Sequence, residues 1–174
     1  MIEETKLWID PTAPFYHGTD ALFDQFIDQY RGSNTAWDNT VHGFFFSEKQ
    51  ENALLFGDNI ITANLDIRNP IDLRLHSIFS EENQASIIWE ILTGEKLDDV
   101  KALQKINDEI SLGELDEMRD GLNNEFAHDM MIAAGYDGCV SDFGDDQSEY
   151  VVFSAKQITI ISIDRYSVKR SLGR

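Results

Sequence analysis

The chain has 174 residues, 42% of them apolar and 11% aromatic, so it is large and apolar enough to fold as one domain rather than remain disordered. Its 32 acidic and 14 basic residues give a formal charge of −18, which disfavours direct binding to nucleic acid. The apolar runs are too short to cross a membrane, and the acidic start, Met1 to Glu4, is unlike a secretory signal.

The first part of the chain predicts an arm, a strand, a helix and a loop. Residues 1–14 are expected to form an N-terminal arm. The short apolar run from Phe15 to His17, followed by Gly18, predicts a strand that ends in a turn. Thr19 is suited to cap a short helix, and the polar stretch from Arg31 to His42 predicts a long loop of the kind that often carries function.

Two to three further strands are expected before residue 78. Phe44 to Phe46 predicts a buried strand, after which Ser47 is expected to cap a helix that ends at Gly57. Ile60 to Ile67 predicts another strand, and Ile71 to Leu75 predicts a further short one.

Residues 78–134 have a different pattern. Their apolar residues recur at helical spacing, which predicts three or four helices. Breaks are expected near Gly94, Gly113 and Gly121, and Gly135 is expected to end the last helix.

The final part of the chain is strand-like again. The predicted strands are Gly138 to Ser141, Tyr150 to Phe153 and Ile158 to Ile163. Asp142 to Gln147 predicts an acidic loop, and the single cysteine, Cys139, is expected to be a small buried residue that cannot form an internal disulfide. Residues 165–174 carry basic but no acidic side chains and are expected to form a surface tail.

The order of strands, helices and strands predicts an α+β fold. We expect a single domain over residues 1–174 with a split, largely antiparallel sheet. The mostly helical block at about 78–134 would be an insertion on one side of this sheet.

Three short motifs lie far apart along the chain. The first is His17-Gly18-Thr19. The second starts at a glycine and continues with an aromatic, a hydroxylated, a small and an aromatic residue: Gly43, Phe45, Ser47, Ala53 and Phe56. The third is Glu149-Tyr150-Val151-Val152-Phe153, with Gln157 eight residues after the glutamate.

In this order and spacing the motifs resemble those of the ADP-ribosyltransferase superfamily. They are most similar to its branch with a His, Tyr, Glu triad, which includes the diphtheria toxin catalytic domain and the poly(ADP-ribose) polymerases. Small phage and mobile-element ADP-ribosyltransferases, among them an anti-CRISPR protein, are the closest in character. The resemblance implies an ADP-ribosyltransferase-like sheet and NAD+ as substrate. Phe45 and Phe56 stand where tyrosine is usual, so stacking is retained and the phenolic hydroxyl is lost.

The resemblance also implies a site for the nicotinamide end of NAD+. Breaking the bond between nicotinamide and ribose builds positive charge on the sugar, as in glycoside hydrolysis. The rings of Phe45 and Phe56 would hold the flat nicotinamide cation by stacking and cation–π attraction. The backbone of Gly18 would reach its carboxamide, since glycine permits close approach. Ser47 and Ala53 belong to the same predicted site.

Two residues are expected to be catalytic. Glu149 would hold the nicotinamide ribose, orient the nucleophile and stabilise the cationic transition state. His17 would hydrogen-bond a ribose hydroxyl, with Thr19 close by. The retained Glu149 favours an active enzyme, and the sequence predicts no metal site, because the half-motif from Glu125 to His128 has no second copy.

Target recognition is assigned to the acidic loop before the glutamate. Asp142, Asp146 and Gln147 are the candidate contacts. In other ADP-ribosyltransferases the residue two before the glutamate helps choose the acceptor, and the neutral side chain of Gln147 disfavours an arginine acceptor.

We therefore expect an NAD+-dependent mono-ADP-ribosyltransferase that modifies a protein. The resemblance implies a phage or mobile-element effector acting in the host cytoplasm, and the acidic charge fits a basic or nucleic-acid-binding host protein as partner. An NAD glycohydrolase stays open as an alternative, as does a non-catalytic acidic binder or decoy. Direct contact with nucleic acid or membrane is not expected.

Overall fold

The computed structural model describes residues 7–19, 42–55, 57–143 and 147–165. The helix expected after Thr19, most of the loop that ends at His42, Phe56, Asp146 and the tail beyond Arg165 lie outside these ranges.

The described residues form one seven-stranded sheet. Its strands are β1 Phe15–Thr19, β2 Phe44–Ser47, β3 Asn59–Leu65, β4 Pro70–Asp72, β5 Gly138–Phe143, β6 Gln147–Val152 and β7 Ile158–Arg165. They lie in the order β4-β5-β6-β2-β1-β3-β7. The pair β4 and β5 is parallel, and the other neighbours are antiparallel. The α+β fold with a largely antiparallel sheet is confirmed.

The helices of the insertion lie between β4 and β5. They are α2 Leu75–Ile78, α3 Ala85–Thr93, α4 Asp99–Glu109, α5 Leu115–Leu122 and α6 Glu125–Ala133. A further helix, α1 Gln50–Ala53, lies between β2 and β3. Gly94 ends α3 in a left-handed conformation at φ 80°, as expected for a C-terminal glycine. Gly121, expected to break a helix, lies within α5. None of the helices in the described ranges is both long and apolar enough to span a bilayer.

Several local predictions were wrong. Ser47 ends β2 instead of capping a helix, and Lys49 precedes α1 without a side-chain cap. That helix ends at Ala53 rather than at Gly57. Asp142 and Gln147 are not loop residues, since they belong to β5 and β6 and pair with Ser148 and Phe143. At Ser47, Asp142 and Gln147 a long-range strand pair extends a strand beyond the point where local patterns end it.

The two faces of the sheet carry separate apolar clusters, because side chains alternate along each strand. The cluster between one face and the insertion includes Phe45, Ile71, Cys139, Val151 and Phe153 from the sheet side, and Ile88, Ile106 and Met131 from the helices. The opposite face includes Ile9, Phe15, Phe44, Phe46, Leu65, Val140 and Val152. Cys139 is buried as expected, and Ile9 packs part of the predicted arm into the core.

The sheet is weakest between its two central strands. β1 and β2 share one register pair, Tyr16 with Ser47, whereas β1 and β3 share five. Beyond that pair the His17 side chain makes the connection, because its Nδ1 lies 2.8 Å from the Phe45 carbonyl oxygen. The predicted split of the sheet therefore falls between β1 and β2.

The start of β2 generates the first prediction. Gly43 has φ +153°, and a Cβ atom there would lie 1.8 Å from the carbonyl oxygen of Val152. Gly43→Ala should therefore lower the free energy of unfolding by about 3 kcal/mol or more, because both the backbone and its neighbour would have to move. Urea unfolding followed by circular dichroism measures this change.

Gly113→Ala is the matched control, since nothing lies within 4 Å of a Cβ atom at that position. It should change the free energy of unfolding by no more than about 0.5 kcal/mol. Equal losses in the two variants would contradict the steric argument.

Candidate functional site

A row of register partners crosses the middle of the sheet. Tyr16 pairs with Ser47, Ser47 with Glu149, and Glu149 with Ser141. Directly paired residues project from the same face, so Glu149 and Ser47 share a face and lie next to each other. Phe45 belongs to this face as well, because it is two residues from Ser47 on β2.

His17 is buried at the split and has a defined role in it. Its side chain is 1% exposed, and its Nδ1 lies 2.8 Å from the Phe45 carbonyl oxygen. Because a carbonyl can only accept, Nδ1 must carry the hydrogen, which makes Nε2 the acceptor of the neutral ring. The ring also contacts the rings of Phe45 and Phe46, with centroids 5.5 Å and 5.4 Å away.

Helix α1 packs directly on β1 at Gly18. A Cβ atom on Gly18 would lie 1.7 Å from the carbonyl oxygen of Ala53, so only glycine allows this approach. Ala53 itself is 1% exposed, and Thr19 is fully buried. The glycine of the first motif and the small residue of the second therefore meet.

Glu149 lies in a cavity between the sheet and the insertion. The cavity measures about 240 Å³. Its lining residues are His42, Leu73, Ile78, Arg119, Asp120, Leu122, Asn123, Cys139, Ser141, Asp142, Glu149 and Val151. Within the described ranges, no donor hydrogen-bonds to the Glu149 carboxyl group, and burial raises its pKa from the ordinary 4.5 to about 7. Burial also raises the pKa of the neighbouring Cys139 thiol.

Of the two aromatic residues in the predicted site, Phe45 is buried in the core. Phe45 is 4% exposed and packs with Ile71, Cys139 and Val151 in the core. Ser47 is 2% exposed, and Phe56 lies outside the described ranges. His17 and Phe45 are not among the described residues that line the Glu149 cavity. The stacking role of the two rings stays a prediction.

The predicted target-recognition residues have structural partners. Asp142 Oδ2 accepts from the Leu75 backbone N–H at 2.8 Å, and Arg119 Nη2 lies 3.7 Å from the same oxygen. Asp142 thus joins β5 to α2 and α5 while lining the cavity. Gln147 Oε1 accepts from Asn52 Nδ2 at 3.4 Å, which turns it towards α1.

The sequence analysis missed two features of this region. His42 Nε2 donates to the Leu122 carbonyl oxygen at 2.8 Å, and its Nδ1 lies 3.3 Å from His128 Nδ1. This buried pair ties the start of β2 to α5 and α6. No local pattern relates residues 42 and 128, which are 86 positions apart. The second feature is the cavity wall formed by α5 and the residue after it, which no motif marks. Among the described residues no group of three side chains is arranged to hold a metal ion.

The raised pKa of Glu149 generates the second prediction. Below pH about 4.5 both the folded and the unfolded state hold the proton, and between about 4.5 and 7 the unfolded state alone releases it. Stability therefore falls as pH rises through this window, by about 3 kcal/mol in total. Glu149→Gln should remove this loss, so the difference in free energy of unfolding between variant and wild type should grow from pH 4.5 to pH 7.5.

Urea unfolding at several pH values measures the difference. Glu117→Gln, on the exposed surface of α5, is the control and should follow the wild type at every pH. A difference for Glu149→Gln that stays constant with pH would contradict a desolvated carboxyl group.

Comparison with known proteins agrees with the motifs. Residues 12–166 match the family described as ADP-ribosyltransferase in polyvalent proteins. The fold is also similar to the crystal structure of an anti-CRISPR protein, with 14% sequence identity, a TM-score of 0.46, and coverage of 87% of this chain and 98% of that one. No curated protein sequence matches the chain. By the extent of the first match, the chain belongs to the family of ADP-ribosyltransferases found in polyvalent proteins.

Proposed function

We propose that this protein transfers a single ADP-ribose unit from NAD+ to a protein acceptor, with Glu149 as the catalytic carboxylate. The observation that carries the proposal is the position of Glu149, a desolvated carboxyl group beside Ser47 in a member of an ADP-ribosyltransferase family. Strongly perturbed carboxyl groups in cavities are typical of catalytic sites.

The Glu149 environment fits a cationic substrate. Its carboxyl group lacks a described hydrogen-bond donor, and burial alone accounts for its raised pKa. The nicotinamide ring of NAD+ carries a positive charge, which would favour the ionised carboxylate and lower that pKa. Substrate binding and ionisation of Glu149 would therefore support each other.

The chemistry asks for a carboxylate rather than a neutral side chain. The bond between the ribose carbon and nicotinamide breaks, and nicotinamide leaves with the electron pair as a neutral molecule. Positive charge develops on the sugar and is stabilised by ionised Glu149. The acceptor atom then bonds to the same carbon, and Glu149 takes the proton that the acceptor releases.

The neighbouring residues have supporting roles. His17 already donates from Nδ1 to Phe45, so its Nε2 is the atom that could accept from a ribose hydroxyl. Gly18 and Ala53 meet where the family motifs predict contacts to the nicotinamide carboxamide. Phe45, Ser47 and Thr19 are buried here, so their contacts with NAD+ stay predictions, as does that of Phe56.

A hydrolase is the second candidate. The cavity of about 240 Å³ beside Glu149 is large enough to admit water, the competing nucleophile. We favour transfer to a protein, and the family description together with the charge of −18 suits a phage or mobile-element effector that acts on a basic host protein. A silent binder is disfavoured, because it would have no use for a desolvated glutamate.

Labelled NAD+ tests the proposal. Incubation of the protein with cell lysate should label at least one protein band and release nicotinamide. Glu149→Gln should lower both rates by about 10²–10³-fold, because a preorganised charge is lost at the transition state. The control Glu117→Gln should match the wild type.

The pattern of products separates the candidates. Nicotinamide release without a labelled band would favour the hydrolase, and NAD+ binding without release would favour the silent binder. Equal rates for Glu149→Gln and the wild type would exclude Glu149 as the catalytic carboxylate.

The roles of the two ring nitrogens of His17 can be tested separately. In His17→Asn the amide N–H can replace Nδ1 in the bond to Phe45, whereas the position of Nε2 is lost. We expect this variant to keep most of its stability and to lose activity by at least about tenfold, the effect of one lost substrate hydrogen bond. His17→Ala should also lose about 2–4 kcal/mol of stability, because the buried carbonyl loses its donor and a cavity forms.

Unfolding free energies and initial rates of nicotinamide release measure the two effects. If His17→Asn retains full activity, the ring serves only to join β1 to β2, and its proposed contact with the substrate is wrong.

A further inference from the structure

The cavity beside Glu149 has one wall from the sheet and one from the helical insertion. The sheet contributes Cys139, Glu149 and Val151. The facing wall is the end of α5 and the residue after it, with Arg119, Asp120 and Asn123. Because α5 belongs to the helical insertion, this wall lies outside the three motifs.

Glu149 separates this cavity from the proposed NAD+ contacts. Its register partner on one side is Ser47 on β2, beyond which lie β1 and α1 with Gly18 and Ala53. Its partner on the other side is Ser141 on β5, which lines the cavity. A nucleophile that displaces a leaving group directly approaches the sugar from the opposite face. The cavity lies on the other side of Glu149 from these contacts, which leaves it available to an acceptor.

The charges that line the cavity, on this wall and on the sheet that faces it, are mainly negative. Asp120 and Asn123 are exposed, and within the described ranges no cation pairs with Asp120. Arg119 lies 3.7 Å from Asp142, which leaves three carboxylates facing one guanidinium when Glu149 is ionised. Such a wall attracts a cationic side chain and repels a carboxylate. Gln147, the expected selector, contacts Asn52 instead and is absent from the described lining of the cavity.

We propose that Asp120 and Asn123 are specificity-determining residues that admit a basic acceptor side chain, lysine or arginine, to Glu149. This inference rests on the proposed function. One proton passes from the cationic acceptor nitrogen to Glu149, which frees the lone pair that bonds to the ribose carbon. The bond to nicotinamide breaks, and its electron pair leaves on nicotinamide. The acceptor is a residue on a protein with a basic surface.

The ratio of peptide labelling to nicotinamide release tests the role of Asp120 and Asn123. The probe is a lysine- and arginine-rich peptide with labelled NAD+ at low salt, with peptide labelling and nicotinamide release measured in one reaction. Asp120→Asn should lower the ratio of labelling to release by about three- to fivefold, and added salt should shrink the difference, as for an exposed charge contact. Asn123→Ala should also lower the ratio.

Asp116→Asn is the matched control, because it removes the same charge from an exposed position of α5 that does not line the cavity. It should keep the wild-type ratio. Equal losses in Asp116→Asn and Asp120→Asn would reduce the effect to overall charge and overturn the inference. A higher KM for NAD+ in Asp120→Asn with an unchanged ratio would also overturn it, because the wall would then serve the dinucleotide.

Mass spectrometry of proteins labelled in lysate gives an independent answer. Modified lysine or arginine residues support the inference, and modification confined to acidic or neutral residues overturns it. If the wild type neither releases nicotinamide nor labels protein, the proposed function itself fails, which is distinct from labelling of the wrong residue type.

Discussion

The structure depends on how its two central strands are joined. β1 and β2 pair only at Tyr16 and Ser47, and the next carbonyl along β2 that faces β1, that of Phe45, accepts from the His17 side chain instead of from a ladder N–H. A buried carbonyl needs a donor, so this bond lets the strands part without leaving a polar group unsatisfied. The same bond fixes which nitrogen of the first motif remains an acceptor. The His17 imidazole therefore joins the two strands through Nδ1 and keeps Nε2 as an acceptor.

Glu149, in contrast, lowers the stability of the same sheet. A carboxyl group that ionises only near pH 7 lowers the stability of the folded state at neutral pH, and no described side chain offsets this cost. Ordinary packing would favour glutamine or an apolar residue at this position. Under the proposed function, a cationic ligand restores the interaction that the buried carboxyl group lacks. The family membership supplies such a ligand in NAD+.

Local patterns predicted the parts of the molecule that local physics controls. Apolar runs identified the strands, helical spacing identified the insertion, and the motifs brought Gly18 to Ala53, His17 to Phe45 and Ser47 to Glu149. The errors lie where distant residues decide. Local sequence predicts Ser47 as a helix cap, but it pairs with Glu149 in the sheet. Local sequence predicts Asp142 as a loop residue, but it pairs with Ser148. The contact of His42 with His128 has no counterpart in the sequence pattern, because it depends on how α6 docks.

The insertion is attached to the motif-bearing half of the sheet at points that also shape the cavity. Asp142 on β5 holds the first N–H of α2 and faces Arg119 on α5, while His42, next to β2, holds the last carbonyl of α5. Each contact joins a polar group of the insertion to a strand that carries motif residues or their register partners. The His42 contact is buried and the two Asp142 contacts are exposed, and together they hold the wall opposite Glu149 against the sheet. Under the proposed function, this wall would let the insertion select what reaches the Glu149 carboxylate, while the motif residues on the sheet would carry out the chemistry.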